Sequence, residues 1–575
     1  MPHRTRLYAD PGEVVSPPAH RHRRAHSGAD QGHDAHPGGD QPDHRRCGLQ
    51  HEEPARDLLQ RPVCSEKQGR GDTPMIKTNA EAFRKYCSEE TFQRIQPFES
   101  ISAMWDHCVA SYGDLPAIRT AAGAYTFAEM EKHVAHIRAA LAAAGLKKGD
   151  RVALLAPNGY AFAAASMAII TSGMCAAVLP AHLDERAVFG LSMKFGVKGI
   201  LFDPALEART SLAAALVRLP IELSAENSAP AVAANGQDEC VILLTGGTTG
   251  RSKGALLSHA NIMQGVMNSC YGYEDVFHQR YLLVLPLSHV FGFVRNMMAS
   301  LYTGSEMFIC ENMSDLFRNA MMFQPTILVV VPALAEMALR LCRQMNRDML
   351  GSQVKYIICG AAVVPPYLVK AYAERGITMC PGYGLTESAN LVSGNPEAIK
   401  KPTSVGIPYP NQELRIENGE LWLKGSNMML GYVNEPEENE AAYTDGWFRT
   451  GDLVRLDEEG FLYITGRTKE IIVLPTGENI SPAELETLFN ELDVVQDSQV
   501  FEDYGPDGGR ILALEVVPRA FELTGIEDPG AYITEKLQQV NQSLPPFKRV
   551  SRIEIRTTDF ERTPAMKIVR YKKCN

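Results

Sequence analysis

The residues best suited to chemistry lie in one loop, Leu244-Thr245-Gly246-Gly247-Thr248-Thr249-Gly250-Arg251-Ser252-Lys253-Gly254, which follows the apolar run Val241-Ile242-Leu243-Leu244. Glycines let backbone N–H groups turn toward an anion with no Cβ in the way, the threonines add hydroxyl donors, and Lys253 adds a positive charge. Such a loop leaving a buried strand suits a polyphosphate. It is not the nucleotide-hydrolase pattern G-x-x-x-x-G-K-[ST], because Lys253 is preceded by Ser252 and followed by Gly254. Taken alone, a surface turn of small residues would explain it equally well.

A second cluster lies downstream. Cys359-Gly360-Ala361-Ala362 and Gly382-Tyr383-Gly384-Leu385-Thr386-Glu387-Ser388 combine small residues, which let a planar base approach the backbone, with a stacking face on Tyr383. Glu387, beside Thr386, is a hard oxygen ligand suited to Mg²⁺ bridging phosphates. Between the two clusters, Pro286-Leu287-Ser288-His289-Val290-Phe291-Gly292-Phe293 places a histidine in an apolar setting, where a packed core histidine is the plain alternative.

In this order, from about Glu99 to Arg570, the motifs resemble those of the AMP-forming adenylating superfamily: acyl-CoA synthetases, adenylation domains and luciferases, with acyl-CoA synthetases the nearest group. The resemblance implies two half-reactions. A carboxylate attacks Mg-ATP to give acyl-adenylate and pyrophosphate, then CoA displaces AMP to form a thioester. It assigns Thr245 to Gly250 and Lys253 to the phosphates, Gly360, Ala361, Ala362, Tyr383 and Gly384 to adenine, and Thr386 and Glu387 to catalysis with Mg²⁺. His289 becomes the gate of the acyl pocket. In Gly446-Trp447-Phe448-Arg449-Thr450-Gly451-Asp452-Leu453, Asp452 would accept from the ribose hydroxyls. In Tyr463-Ile464-Thr465-Gly466-Arg467-Thr468-Lys469-Glu470, Arg467 also reaches the ribose and Lys469 marks the pivot of a mobile domain. Gly477 would leave room for pantetheine, and Lys567, in Arg562-Thr563-Pro564-Ala565-Met566-Lys567, would bridge carboxylate and α-phosphate. Gly246 and Ser252 stand where relatives usually carry Ser and Pro, which removes one hydroxyl donor and some rigidity from the phosphate loop. Val290 replaces the Asp of amino-acid-activating relatives, and an ammonium without a partner is costly to bury, so an α-amino acid is disfavoured. A pocket of His289, Phe291, Met297, Val331, Ala361, Gly384 and Leu391 suits a fatty or aryl acid. The acceptor alternative is an acyl carrier protein, and the non-enzymatic alternative is a regulator that binds nucleotide or acyl-CoA.

The elements that must position these residues follow from pattern. From Glu99 onward, helical stretches alternate with short apolar strands, such as Met130 to Leu146 before Arg151 to Leu155, as in parallel sheets covered by helices. Further strands are expected at Tyr281 to Leu285, Thr326 to Val331 and Lys355 to Cys359, with helices opening at Pro332 and about Pro366. After Ser404 short strands predominate, and Asn418-Gly419 predicts a hairpin between Glu413 to Ile416 and Glu420 to Leu423. Beyond Gly466, Ser481-Pro482-Ala483-Glu484 reads as a capping box and strands are expected at Ile511 to Val517 and Val550 to Ile555. The expected fold is α/β: a large domain of parallel sheets covered by helices with a β-rich subdomain, residues 75–466, and a small mobile α+β domain, 467–575.

Composition bounds the rest. A chain of 575 residues exceeds one ordinary core. A net charge of −11 and a pI near 5.8 argue against nucleic-acid binding. Twelve cysteines, with no C-x-x-C pair, suit reduced thiols and a cytoplasmic setting. Ala161 to Pro180 is apolar, but Gly173 breaks it into a buried helix and strand rather than an integral membrane segment. Residues 1–74 hold eight of the fifteen histidines and no apolar periodicity, which reads as a disordered or mis-assigned extension ahead of Met75.

Overall fold

The computed structural model describes residues 76–245, 252–474, 478–506, 508–562 and 568–570. The expectation for residues 1–74 lies outside them. The described residues group as one compact unit.

Two largely parallel sheets carry the site. In the first, the strands Glu239–Thr245, Cys175–Leu179, Arg151–Leu155, Gly199–Phe202 and Val217–Pro220 run parallel in that spatial order. Lys253–Ser258 closes its edge antiparallel to Glu239–Thr245, with Thr245 opposite Lys253. The phosphate-type loop therefore joins the two arms of a hairpin. In the second sheet, Thr378–Tyr383, Tyr356–Cys359, Ile327–Val330, Arg280–Leu283, Glu306–Ile309 and Pro116–Thr120 are parallel neighbours. The expected α/β alternation is thus realised. The helix opened by Pro332 spans Pro332–Gln344 with proline in its first turn.

The apolar stretch at 161–180 resolves into the helix Tyr160–Thr171, buried except at Ala161, and the strand Cys175–Leu179, buried throughout. Gly173 makes the turn between them at φ +68°, a conformation that costs glycine least. A helix apolar on every face belongs in a core, and no helix among the described residues is long and apolar enough to cross a membrane.

A third, antiparallel sheet contains the strands Gln412–Glu417, Glu420–Gly425, Trp447–Leu456 and Leu462–Arg467. Its first hairpin turns at Asn418 (φ +51°) and Gly419 (φ +83°), the paired left-handed conformations that a tight two-residue turn demands.

The C-terminal part packs the helices Pro482–Asn490 and Pro529–Ser543 on the strands Val495–Tyr504, Arg510–Pro518 and Arg552–Ile555. It has its own apolar cluster, including Leu485, Phe489, Leu514, Ile533 and Leu537. The capping box expected at Ser481 does not close. Ser481 is the N-cap and Pro482 follows it, but its hydroxyl donates to the Thr465 carbonyl at 2.6 Å, and Glu484 pairs with Lys548. The cap is given up for a tie to the strand that ends at Arg467, and Gly466 permits it: a Cβ there would sit 2.2 Å from the Ser481 hydroxyl oxygen.

Candidate active site

The site begins with a carboxylate held from two sides. Asp452 lies on the strand Trp447–Leu456, directly opposite Arg467 on its antiparallel neighbour. The Arg467 Nε donates to Asp452 Oδ1 at 2.7 Å and the Tyr383 hydroxyl donates to Oδ2 at 2.5 Å. Asp452 is buried while Arg467 remains half-exposed. Burial, reinforced by the Asp452 charge, raises the Tyr383 phenol well above its ordinary value, so it keeps its proton for this bond. Each carboxylate oxygen retains a second lone pair for an incoming diol.

Tyr383 ends the strand Thr378–Tyr383, and the loop after it turns tightly. A Cβ at Gly384 would lie 1.2 Å from the Asn390 carbonyl oxygen, so only glycine fits. Thr386–Ser388 form a 3₁₀ turn, and Ala389 (φ +49°) and Asn390 (φ +85°) follow in left-handed conformations. Alongside, Gly360 packs against the Gly382 carbonyl and the Phe291 ring, and Ala361 takes φ +66°. The two small-residue motifs therefore meet at neighbouring strand ends, leaving backbone accessible to a flat base.

Four residues beyond Tyr383, Glu387 accepts a 2.7 Å hydrogen bond from the Tyr432 hydroxyl through Oε1. Lys253 lies over the same Tyr432 ring, its Nζ 4.4 Å from the centroid, and pairs with Glu438 at 3.0 Å. The hydrogen bond from Lys253 lowers the Glu438 carboxyl below its usual range. One tyrosine thus joins the cation of the phosphate-type loop to the proposed magnesium carboxylate. A single carboxylate suits Mg²⁺, which keeps waters and takes the rest of its shell from substrate phosphates. Tyr432 engages one Glu387 oxygen, and the other can meet an ion.

The family follows from this order of groups. A model of the AMP-binding enzyme family matches residues 105–433. The chain belongs to the AMP-binding enzyme family. A feruloyl-CoA synthase of Amycolatopsis sp is 30% identical over 421 residues, covering 70% of this chain and 85% of that protein. The long-chain-fatty-acid CoA ligase FadD15 of Mycobacterium tuberculosis is 27% identical over 545 residues, covering 77% and 89%. The fold is shared with o-succinylbenzoate CoA synthetase of Bacillus subtilis in complex with its acyl-adenylate, at a TM-score of 0.70 and 23% identity, covering 84% of this chain and 98% of that one. As a member of the family with CoA-ligase relatives, this protein is an ATP-dependent, acid-activating CoA ligase.

In this AMP-binding enzyme the other expected residues fall as follows. His289 is half-buried in the turn before the π-helix Phe291–Met298, and its Nδ1 accepts from the Phe291 N–H at 3.3 Å. Asn158 fixes that segment from both sides, donating to the Leu285 carbonyl and accepting from the Leu287 N–H. Ala362 is exposed beside Ala361. Lys469 is exposed in the turn Thr468–Glu470, and its charge helps to lower Glu438. Gly246, Gly247, Thr248, Thr249, Gly250, Gly477 and Lys567 lie outside the described residues. Around Lys567, Arg562 bridges Ile568, and Arg570 pairs with Glu486 at 2.6 Å and Glu470 at 3.4 Å. Tyr432, Glu438 and Asn158 were not expected from sequence. Only the glycine that precedes Tyr432, at a short strand edge, offered any signal.

Proposed function

We propose that this ligase adenylates a fatty or aryl carboxylic acid at the strand ends that carry Gly360 and Tyr383, and then transfers the acyl group to CoA. The observation that carries the reading is the convergence on one loop: Tyr383 bonded to Asp452, which Arg467 holds from its other oxygen, and Glu387, four residues later, joined through Tyr432 to Lys253.

In this reading the ribose diol bonds Asp452 and Arg467, and the base lies on the backbone of Gly360, Ala361 and Ala362 against Tyr383. The hydroxyls and amides of 245–250 and the Lys253 ammonium receive the phosphates, which requires Lys253 to exchange Glu438 for a phosphate oxygen. Glu387 would hold Mg²⁺, which supplies charge neutralisation on the departing pyrophosphate. The substrate carboxylate attacks the α-phosphate in line, and Lys567 steadies the negative charge there. His289 and Phe291 shield the acyl end from water. Small-domain rotation about Lys469 then brings Gly477 to the CoA path. The free cysteines among the described residues, eight of them buried, fit a reducing cytoplasm.

The test is carboxylate-dependent ATP–pyrophosphate exchange over fatty and aryl acids, repeated as thioester formation with CoA. Exchange with thioester is expected. Exchange without thioester would transfer the acceptor role to an acyl carrier protein, and ATP binding without exchange would overturn the reading.

A further inference from the structure

Arg295 is completely buried on the π-helix Phe291–Met298. None of its three guanidinium nitrogens has a close, well-aligned hydrogen bond among the described residues, and the acceptors nearest it are the neutral hydroxyls of Tyr273 and Tyr281. The groups that act on it most strongly are the phenols of Tyr273, Tyr281 and Tyr409, with the Tyr273 ring 5.3 Å from the guanidinium carbon. Burial raises all three phenols, Tyr281 to about 12, so they are neutral and supply no countercharge. The next residue, Asn296, is also fully buried, and neither of its side-chain polar atoms has a hydrogen-bond partner among the described residues. A buried cation with no counterion is costly in a protein interior, and an anion arriving beside it would relieve that cost.

Its position says which anion. Phe291 and Arg295 are about one π-turn apart, so they share a helix face. The Phe291 ring reaches Gly360 at the end of the strand Tyr356–Cys359. Arg295 acts on the Cys380 thiol, and Cys380 shares a face of Thr378–Tyr383 with Gly382, two residues on. Cys380 is the register partner of Ile358, which in turn lies two residues before Gly360. Arg295 therefore lies about one helical turn beyond the residue that touches Gly360, within electrostatic reach of Cys380 on that sheet face.

We propose that the acid carries a second carboxylate at its far end, and that Arg295 is the specificity residue that receives it. The inference rests on the ligase reading above and narrows its fatty or aryl acid to a dicarboxylic one. It also replaces the expectation that the pocket is apolar apart from His289.

The test compares matched acids, hexanoate with adipate, octanoate with suberate, and benzoate with isophthalate and terephthalate, in ATP–pyrophosphate exchange and in thermal shift. Wild type should favour at least one diacid over its monoacid by about 100-fold in kcat/KM. Arg295→Met should remove that preference, with the diacid falling about 100-fold and the monoacid unchanged or improved, and Arg295→Lys should retain part of it. A purely structural arginine would lower the Tm of Arg295→Met and reduce both members of a pair equally, which overturns the proposal. So does a wild type that prefers the monoacid in every pair, or that prefers a neutral keto acid to the matched diacid. These wild-type ratios stand even if Arg295→Met does not fold. Failure of the ligase reading is distinguishable: diacids that raise the Tm of wild type alone, with no exchange, would sustain the anion site, and no shift with any acid would overturn it.

Discussion

Tyr383 and Asp452 are 69 residues apart in the chain and joined by a 2.5 Å hydrogen bond, with Arg467 on the opposite carboxylate oxygen. A hydrogen bond to a charged group contributes about 1.5–3 kcal/mol. Tyr383→Phe removes the bond, keeps the ring and frees one oxygen. Its expected effect is a Tm loss with the KM for ATP raised less than about tenfold, because a ribose hydroxyl can take the vacated place. Asp452→Ala leaves Arg467 unpaired and removes both ribose acceptors, so kcat/KM for ATP should fall by about 100-fold or more. Steady-state exchange at varied ATP separates the two, and equal effects would remove Asp452 from the ribose role.

The link from Lys253 through Tyr432 to Glu387 gives a second expectation. Lys253 is occupied by Glu438 at 3.0 Å and must leave it to meet a phosphate. Glu438→Gln lightens that competition, so the Kd for ATP should tighten by a few-fold, with the larger change at low ionic strength, as for a half-exposed pair. Glu387→Gln should instead cut exchange by about 100-fold to 1,000-fold and shift the Mg²⁺ titration upward. A Glu387→Gln enzyme with an unaltered magnesium midpoint would remove Glu387 from the metal.

What could be read ahead of the structure was whatever is local. Asn418-Gly419 turns its hairpin because two left-handed residues are needed there, and Gly173 splits the apolar stretch for a similar reason. The strands of the parallel sheets are continuous apolar runs because both faces are covered. Val495–Tyr504 escaped notice because Gln496, Asp497, Ser498, Gln499, Glu502 and Asp503 break any apolar pattern; it is a strand by virtue of its long pairing with Arg510–Pro518. Ser481 carried a genuine capping signal, and a tertiary bond to Thr465 took its hydroxyl. Motif order placed Asp452, Arg467, Tyr383 and Glu387, but not the side chains that act on them. Tyr432 gains its role only because Gly431-Tyr432 pairs with Lys253–Ser258, and Arg295 looks unremarkable until its burial on a π-helix is known.

Gly384 tests the nucleotide loop independently of chemistry. It was expected to shape the acyl pocket, where enlarging it would change substrate choice. The Asn390 carbonyl already occupies the space of a Cβ, at 1.2 Å, and backbone cannot move aside as a flexible side chain can. Gly384→Ala should therefore open the turn that carries Thr386 and Glu387, destabilise the protein by about 3 kcal/mol or more, and abolish exchange with every acid alike. A variant of normal Tm with a changed acid profile would return Gly384 to the pocket wall.

His259 sets a pH dependence of stability away from the site. It is fully buried at the start of the helix His259–Asn268, and its Nδ1 accepts from the Ile101 N–H at 3.2 Å. Burial lowers its pKa from 6.5 to about 4, against a smaller opposing effect of Asp238. The folded protein keeps the imidazole neutral while the unfolded chain binds a proton below pH 6.5, so stability falls as pH drops from 6.5 toward 4 and levels off below. At about 1.4 kcal/mol per pKa unit, the full span is roughly 3 kcal/mol. His259→Gln retains an acceptor without the titration. Urea unfolding between pH 4 and 7.5 should show a flatter slope for the variant by close to one proton, whatever its stability at neutral pH. Parallel pH profiles for the two proteins would mean that His259 titrates normally in the fold.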